Sequence, residues 1–286
     1  MDNSSPSESR DMPSDASRDA PLVDCHFHVY TTDMPLTATA WHKPPADATT
    51  EQLIDTLDRH GVTFGVIAAA SLYGDYNDYS LRALRLHKRL RATAIVRPSI
   101  DLHELEALDR EGFCGIRFQF RNVAEPPDLA SAEYRALLRR IRDLDWHVHL
   151  NDDGKRLPTP LKALRAAGVK IVIDHFGYVD ESLGGINSPG FRDTLAAVEG
   201  GRTWVKLSAG YRLTPTSAAK TYAQALLAVA GGERLLWGSD WPFANFETKV
   251  SYADTLANLA DWVPDEKIRR QIGGETPLKL YFARLP

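Results

Sequence analysis

The sequence predicts a single closed (β/α)8 TIM barrel behind a disordered N-terminal tail, and three observations carry the prediction. Apolar runs of strand length recur at intervals of roughly 20 to 40 residues, the period expected when each strand is followed by a helix. Eight such runs are present, at residues 22–29, 64–69, 92–97, 115–120, 146–151, 170–175, 203–208 and 234–239. Seven of the eight are continuous or small-residue apolar runs rather than strictly alternating ones, as in a parallel sheet covered on both faces. A chain of 286 residues is long enough for one such barrel, so residues 21–286 are read as one domain.

Residues 1–20, MDNSSPSESRDMPSDASRDA, are almost wholly Ser, Asp, Pro, Arg and small residues. They cannot bury enough apolar surface to offset ordering, and a disordered tail is expected. The first strand, LVDCHFHV, leads to TEQLIDTLDRHG over 50–61, where the opening threonine supplies an N-cap and the glycine closes the helix. The second strand is FGVIAA. LRALRLHKRLR over 81–91 reads as a helix with a solvated face and with Leu81, Leu84 and Leu90 on its buried side, ahead of the third strand, ATAIVR. HELEALDREG (103–112) is a helical pattern ahead of the fourth strand, GIRFQF, and SAEYRALLRRIRDLD (131–145) precedes the fifth, WHVHLN. LKALRAAG (161–168), again closed by glycine, leads to the sixth strand, KIVIDH; TWVKLS and RLLWGS complete the barrel.

Composition excludes some functions. A net charge of −4 with no concentrated basic stretch gives no footprint for a nucleic-acid backbone. The longest apolar run, FGVIAAASL (64–72), is far below the roughly 18 residues that span a bilayer, and no export signal opens the chain, so a soluble cytoplasmic protein is expected. Two cysteines make no disulfide framework. Cys25 and Cys114 both sit in apolar strand contexts and read as structural, because burial raises the thiol pKa and leaves it inert.

In such barrels the site lies at the C-terminal ends of the strands. Those ends carry His26 and His28, Ser71, Arg117 and Gln119, His147, His149 and Asn151, Asp174 and His175, Ser208 leading to Arg212, and Asp240. His60, His87 and His103 fall on helices or their caps and read as surface residues. Strand alternation puts His26 and His28 on one face, converging on one point, and closure makes strands one and eight neighbours, so that Asp240 can join them.

The Asp-x-His-x-His of VDCHFH on the first strand, IDHFG on the sixth and WGSDWP on the eighth, in that order, resemble the amidohydrolase superfamily over residues 22–283. GIRFQF, WHVHL, VKLSAGYRL and WGSDWPFAN look most like its branch of 2-pyrone-4,6-dicarboxylate lactonases and related sugar-acid lactonases and lactone isomerases. The resemblance implies a hydrolytic water activated by Asp240, with His26, His28 and His175 facing the lactone carbonyl. That chemistry suits the side chains: ring opening needs a base for the attacking water and donors for the oxyanion. Arginine matches planar carboxylates, so Arg117 and Arg212 are candidates to grip an acidic substrate. Arg121 reads as a rim salt bridge. Ser71, Asn151, Tyr178, Lys43 and Asn245 are expected to complete the pocket.

Binuclear members of the superfamily carry a carboxylated lysine or a glutamate on strand four, where this chain has Arg117, so no cofactor is expected. The alternative is one divalent metal, zinc or manganese, on His26, His28 and Asp240, with His149 as a further ligand, in a mononuclear decarboxylase or amide hydrolase. A lactone isomerase and a non-catalytic sugar-acid binder are the other rivals. The pyrone-dicarboxylate pattern is departed from at three positions. Val123 stands where a second arginine is expected, Asn151 where a tyrosine is, and Tyr178 where an arginine is. The expected partner is therefore a small carboxylated or sugar-derived lactone other than the pyrone itself, with no nucleic acid and no membrane.

Overall fold

The computed structural model describes residues 21–283, so the expected tail over 1–20 lies outside the described residues. Eight strands, β1 (Leu22–Phe27), β2 (Val62–Ile67), β3 (Leu90–Ala94), β4 (Phe113–Gln119), β5 (His147–Asn151), β6 (Lys170–Ile173), β7 (Thr203–Ser208) and β8 (Leu235–Gly238), form one sheet in sequence order. Every ladder from β1–β2 to β7–β8 is parallel. Outside them lie α1 (Thr50–Arg59), α2 (Asp78–Leu86), α3 (Leu102–Arg110), α4 (Ala132–Asp143), α5 (Pro158–Ala167), α6 (Pro189–Glu199), α7 (Ala219–Ala230), α8 (Tyr252–Trp262) and α9 (Glu266–Arg270). This is the (β/α)8 barrel that the spacing of apolar runs predicts. Among the described residues no helix is long and apolar enough to cross a membrane.

Six of these nine helices start where a side chain satisfies one of their first free N–H groups. Thr49 caps α1 in a capping box with Gln52, so the capping threonine is one residue earlier than expected. Asp101 with Glu104 and Ser251 with Asp254 do the same for α3 and α8. Helix α2 stops at Leu86, shorter than the helix expected over 81–91. Leu90 is already the first residue of β3, because its side chain is claimed by the barrel wall rather than by the helix.

Several strands end earlier than the apolar runs suggest. β6 stops at Ile173, not at residue 175, and β8 at Gly238, because His175 (φ 53°) and Asp240 (φ 65°) turn the chain out through the left-handed region. Ala209 (φ 50°) does the same beyond β7. These three turns place the strand-end side chains over the barrel mouth.

The ring is completed between β8 and β1, beyond the ends of the ladders. Asp240 N donates to His26 O (2.7 Å) and His28 N to Trp241 O (2.8 Å). Gly238 permits the approach, since a Cβ there would lie 2.6 Å from His26 Cβ. The lower barrel is filled by Val23, Cys25, Val66, Val172 and Leu236, plugged by Tyr281 and Phe282 from the C-terminal segment. Burial pushes the Cys25 thiol well up and that of Cys114 to about 12, which suits the structural reading of both.

Candidate active site

The site begins with an irregularity in β1. Between the pairs Asp24–Gly65 and Phe27–Ile67, β1 has one more residue than β2, so strict alternation fails there. Asp24 therefore does not join the histidines. Its Oδ2 accepts from Tyr252 OH of α8 (2.8 Å), and its Oδ1 from the backbone N–H of Ser239 (2.9 Å) and His26 (3.1 Å), sealing the seam. Burial outweighs these donors and raises its pKa to about 6.

His26 and His28 do converge, with ring centroids 5.0 Å apart and planes nearly perpendicular. The turn after β6 brings His175 to 4.5 Å from His26. The turn after β8 sets Asp240 among all three. Its Oδ1 lies 3.6 Å from His26 Nε2, 3.6 Å from His28 Nε2 and 3.8 Å from His175 Nε2. These are too long for direct hydrogen bonds and suit one bridging oxygen. Its other oxygen, Oδ2, accepts from Tyr211 OH (2.6 Å) and Arg212 Nε (2.7 Å). Burial alone would raise the Asp240 pKa, but Arg212 and His175 outweigh it and hold the carboxylate well below its usual range. Burial lowers His175 to about 4, and burial with Lys206 lowers His26 well below its ordinary value, so both are neutral at neutral pH.

A second cluster lies directly beneath. Lys206, fully buried on β7, places Nζ 2.9 Å from His26 Nδ1, 3.0 Å from His149 Nδ1 and 3.0 Å from Asp174 Oδ1. Arg117 on β4 donates from Nε to Asp174 Oδ2 (3.1 Å) and from Nη1 to Ala69 O (2.7 Å). Burial would raise Asp174, but the cations of Lys206 and Arg117 beside it outweigh that and hold it well below its ordinary value. Burial lowers the Lys206 pKa against the pull of Asp174.

The cleft above is lined by His28, Ser71, Arg117, Asn151, His175, Tyr178, Arg212 and Asp240 from the expected set, and by Tyr30, Trp41, Gln119 and Arg121 besides. Lys43 and Asn245, expected in the pocket, are exposed and line no part of it. Trp41 is what the first loop contributes instead, and the tight turn from Phe243 to Phe246 sets Ala244 against the cleft, leaving Asn245 outside. His149 is not at the mouth either. Its ring nitrogens are taken by Lys206 and, at 3.4 Å, by Tyr281 OH deep in the barrel, so it is no ligand for an ion at the mouth. Arg121, read from sequence as a rim salt bridge, does pair with Asp153 (3.0 Å), but it also lies 4.0 Å over the Tyr178 ring and faces the cleft.

Lys206 and Tyr211 escaped the sequence reading. Lys206 did leave a signal, since a charged residue inside the apolar strand TWVKLS is rare in a core unless it is paired. Tyr211 left none.

Two groups of side chains are close enough to hold a metal, His26 with His28 and Asp240, and His26 with Asp174 and His175. The charges around them fit such an ion poorly. Arg117, Lys206 and Arg212 are paired with Asp174 and Asp240, which leaves one excess positive charge when the histidines are neutral. A divalent cation would add to it in a desolvated space.

Residues 23–283 match the profile of a family described as amidohydrolase. A 4-sulfomuconolactone hydrolase of Hydrogenophaga intermedia is 30% identical over 268 residues, spanning 90% of this chain and 88% of that protein. A 2-pyrone-4,6-dicarboxylate hydrolase of Comamonas testosteroni is 27% identical over 280 residues, spanning 92% and 90%. The crystal structure of a Pseudomonas putida protein described as a candidate 2-pyrone-4,6-dicarboxylic acid hydrolase matches with a TM-score of 0.86 and 32% identity, over 93% of this chain and 99% of that one.

Proposed function

This chain belongs to the amidohydrolase family, and from that premise we propose that it hydrolyses a small anionic lactone with no resident metal. The observation that carries the reading is the division of labour within Asp240. One oxygen is anchored by Tyr211 and Arg212, while the other stands free among three histidine Nε2 atoms at 3.6 to 3.8 Å. A carboxylate so placed takes a proton from water, and neighbouring imidazoles can hold the water and receive the carbonyl.

His28 holds Nδ1 at 2.7 Å from Ala68 O, a contact that requires the proton on Nδ1 and leaves a lone pair on Nε2. A water between His28 Nε2 and Asp240 Oδ1 would donate to both. His28 thus orients the nucleophile rather than facing the carbonyl, which is the role the family resemblance implies for it. Ser208 OH, 2.8 Å from His175 Nδ1, can donate there and leave that ring's proton on Nε2, so that neutral His26 and His175 supply Nε2–H donors for the carbonyl oxygen. As water adds to the carbonyl carbon, its proton passes to Asp240. The tetrahedral oxyanion collapses, the ring C–O bond breaks, and the leaving alkoxide or enolate takes that proton from Asp240.

The charge of the site favours an anionic substrate. Arg212 and Arg121 each commit Nε to an acid, and among the described residues their terminal nitrogens carry no hydrogen bond. Both forks are therefore available to a carboxylate or sulfonate. The relatives named for sulfomuconolactone and pyrone dicarboxylate act, by their names, on lactones of that charge class. The two free cysteines suit a reducing cytoplasm.

The test is ring opening across a panel of pyrone dicarboxylate, muconolactones and aldonolactones by enzyme dialysed against chelator. One equivalent of acid released per ring opened distinguishes hydrolysis from isomerisation. Asp240→Asn should lose about 100- to 10,000-fold in kcat, and full activity of that variant on the best lactone would sink the proposal.

A further inference from the structure

Lys206 is completely buried and takes no part in the steps above. An ammonium carries three hydrogens and no lone pair. Three groups surround its Nζ at 2.9 to 3.0 Å, the Nδ1 atoms of His26 and His149 and the Asp174 carboxylate. The two imidazole contacts have hydrogen-bond geometry, while the third is an ion pair to a carboxylate that no hydrogen bond among the described residues otherwise satisfies at Oδ1, a contact that an ammonium makes and a neutral amine does not. An imidazole that accepts at Nδ1 must hold its own proton at Nε2. In His26 that Nε2 is buried, has no hydrogen-bond partner among the described residues, and faces Asp240 Oδ1 at 3.6 Å.

We propose that Lys206 is a positioning residue that fixes His26 in its Nε2–H form, making it a donor to the substrate carbonyl and closing its Nε2 to metal ions. The first half rests on the lactone-hydrolase reading, while the tautomer and the exclusion of metal do not. A metal at Nε2 needs that nitrogen's lone pair, which sends the proton to Nδ1. There it would meet the Lys206 ammonium head-on at 2.9 Å. The opposite tautomer has one competing acceptor, Asp174 Oδ1, 3.3 Å from His26 Nδ1. That carboxylate is nearer to Lys206 and is also held by Arg117. His28, whose Nδ1 faces the Ala68 carbonyl, takes the reverse form. Two adjacent imidazoles are thus set as one donor and one acceptor by what lies behind them.

Long-range 15N–1H correlation spectra of histidine-labelled protein test this directly, with His26 and His28 assigned by the signals lost in His26→Gln and His28→Gln. The expected result is a bare Nδ1 and protonated Nε2 for His26, the reverse for His28, and no change at His26 on adding one equivalent of zinc chloride. Lys206→Met should move the His26 proton to Nδ1, open the site to zinc in calorimetry, and lower kcat about 100-fold with little change in KM. A wild-type His26 protonated at Nδ1, zinc coordination by wild-type His26, or an unmoved tautomer in a folded Lys206→Met variant would overturn the proposal. If that variant does not fold, the wild-type spectrum and zinc titration decide the matter. Failure to open any lactone would refute the hydrolase reading and leave the tautomer assignment standing.

Discussion

Asp24→Asn should change how stability depends on pH. Asp24 is fully buried at the seam, with a pKa raised from 3.8 to about 6. Because the folded value lies above the unfolded one, the folded state binds the proton more tightly. The stability this gives is fully present below pH 3.8 and lost as pH rises through about 6. The whole difference corresponds to about 3 kcal/mol, of which about 2 kcal/mol falls between roughly pH 4.5 and 7.5. Asparagine keeps an acceptor for the N–H groups of His26 and Ser239 and does not titrate, and Tyr252 OH can turn to accept from its amide. Urea unfolding of both proteins across that window should show the wild type losing about 2 kcal/mol relative to the variant on going to higher pH. A pH-independent gap between the two curves, or a wild type gaining on the variant, would refute the argument that burial governs this carboxyl group.

Three further outcomes are expected. Gly115→Ala places a Cβ 2.3 Å from His147 Nδ1 and 2.5 Å from His147 O, and since backbone cannot yield like a flexible side chain, thermal unfolding should show a loss of about 3 kcal/mol or failure to fold. Arg121→Ala should raise KM for an anionic lactone about tenfold, with kcat within about threefold, as steady-state kinetics would show, because one charge-assisted contact is removed far from the reacting carbonyl. Prolonged dialysis against chelator should leave kcat unchanged; activity restored only by added zinc or manganese would contradict the unaided role of Asp240.

Much of this molecule is legible in its sequence, for reasons that also explain the misses. The eight strands announce themselves because a parallel barrel buries both faces of each strand, so apolar runs mark them directly. His26, His28, His175 and Asp240 could be brought together on paper, since alternation and ring closure are general rules. What sequence periodicity cannot carry is local departure from regularity. The extra residue in β1 separates Asp24 from the histidines it seems to accompany. Non-glycine residues in left-handed turns shorten β6 and β8, and nothing in the identity of His175 or Asp240 betrays that. The boundary of α2 was lost because Leu90 is equally apolar in a helix or a strand. Lys43 and Asn245 lie on loops, whose paths depend on tertiary contacts. Lys206 needed a different question of its strand: why a charge should sit in a wall of apolar residues.

The junction between β8 and β1 bears on when this chain first becomes active. The backbone bonds that shut the ring are made by His26, His28 and Asp240 themselves, together with Trp241. During synthesis the two histidines emerge seven strands ahead of their carboxylate, which follows the last strand. A nascent or truncated chain that stops short of residue 240 lacks that carboxylate, and a barrel with its final strand undocked holds the parts without the arrangement. Turnover is therefore a report that the ring has shut, which gives a simple readout for following the last step of folding in real time.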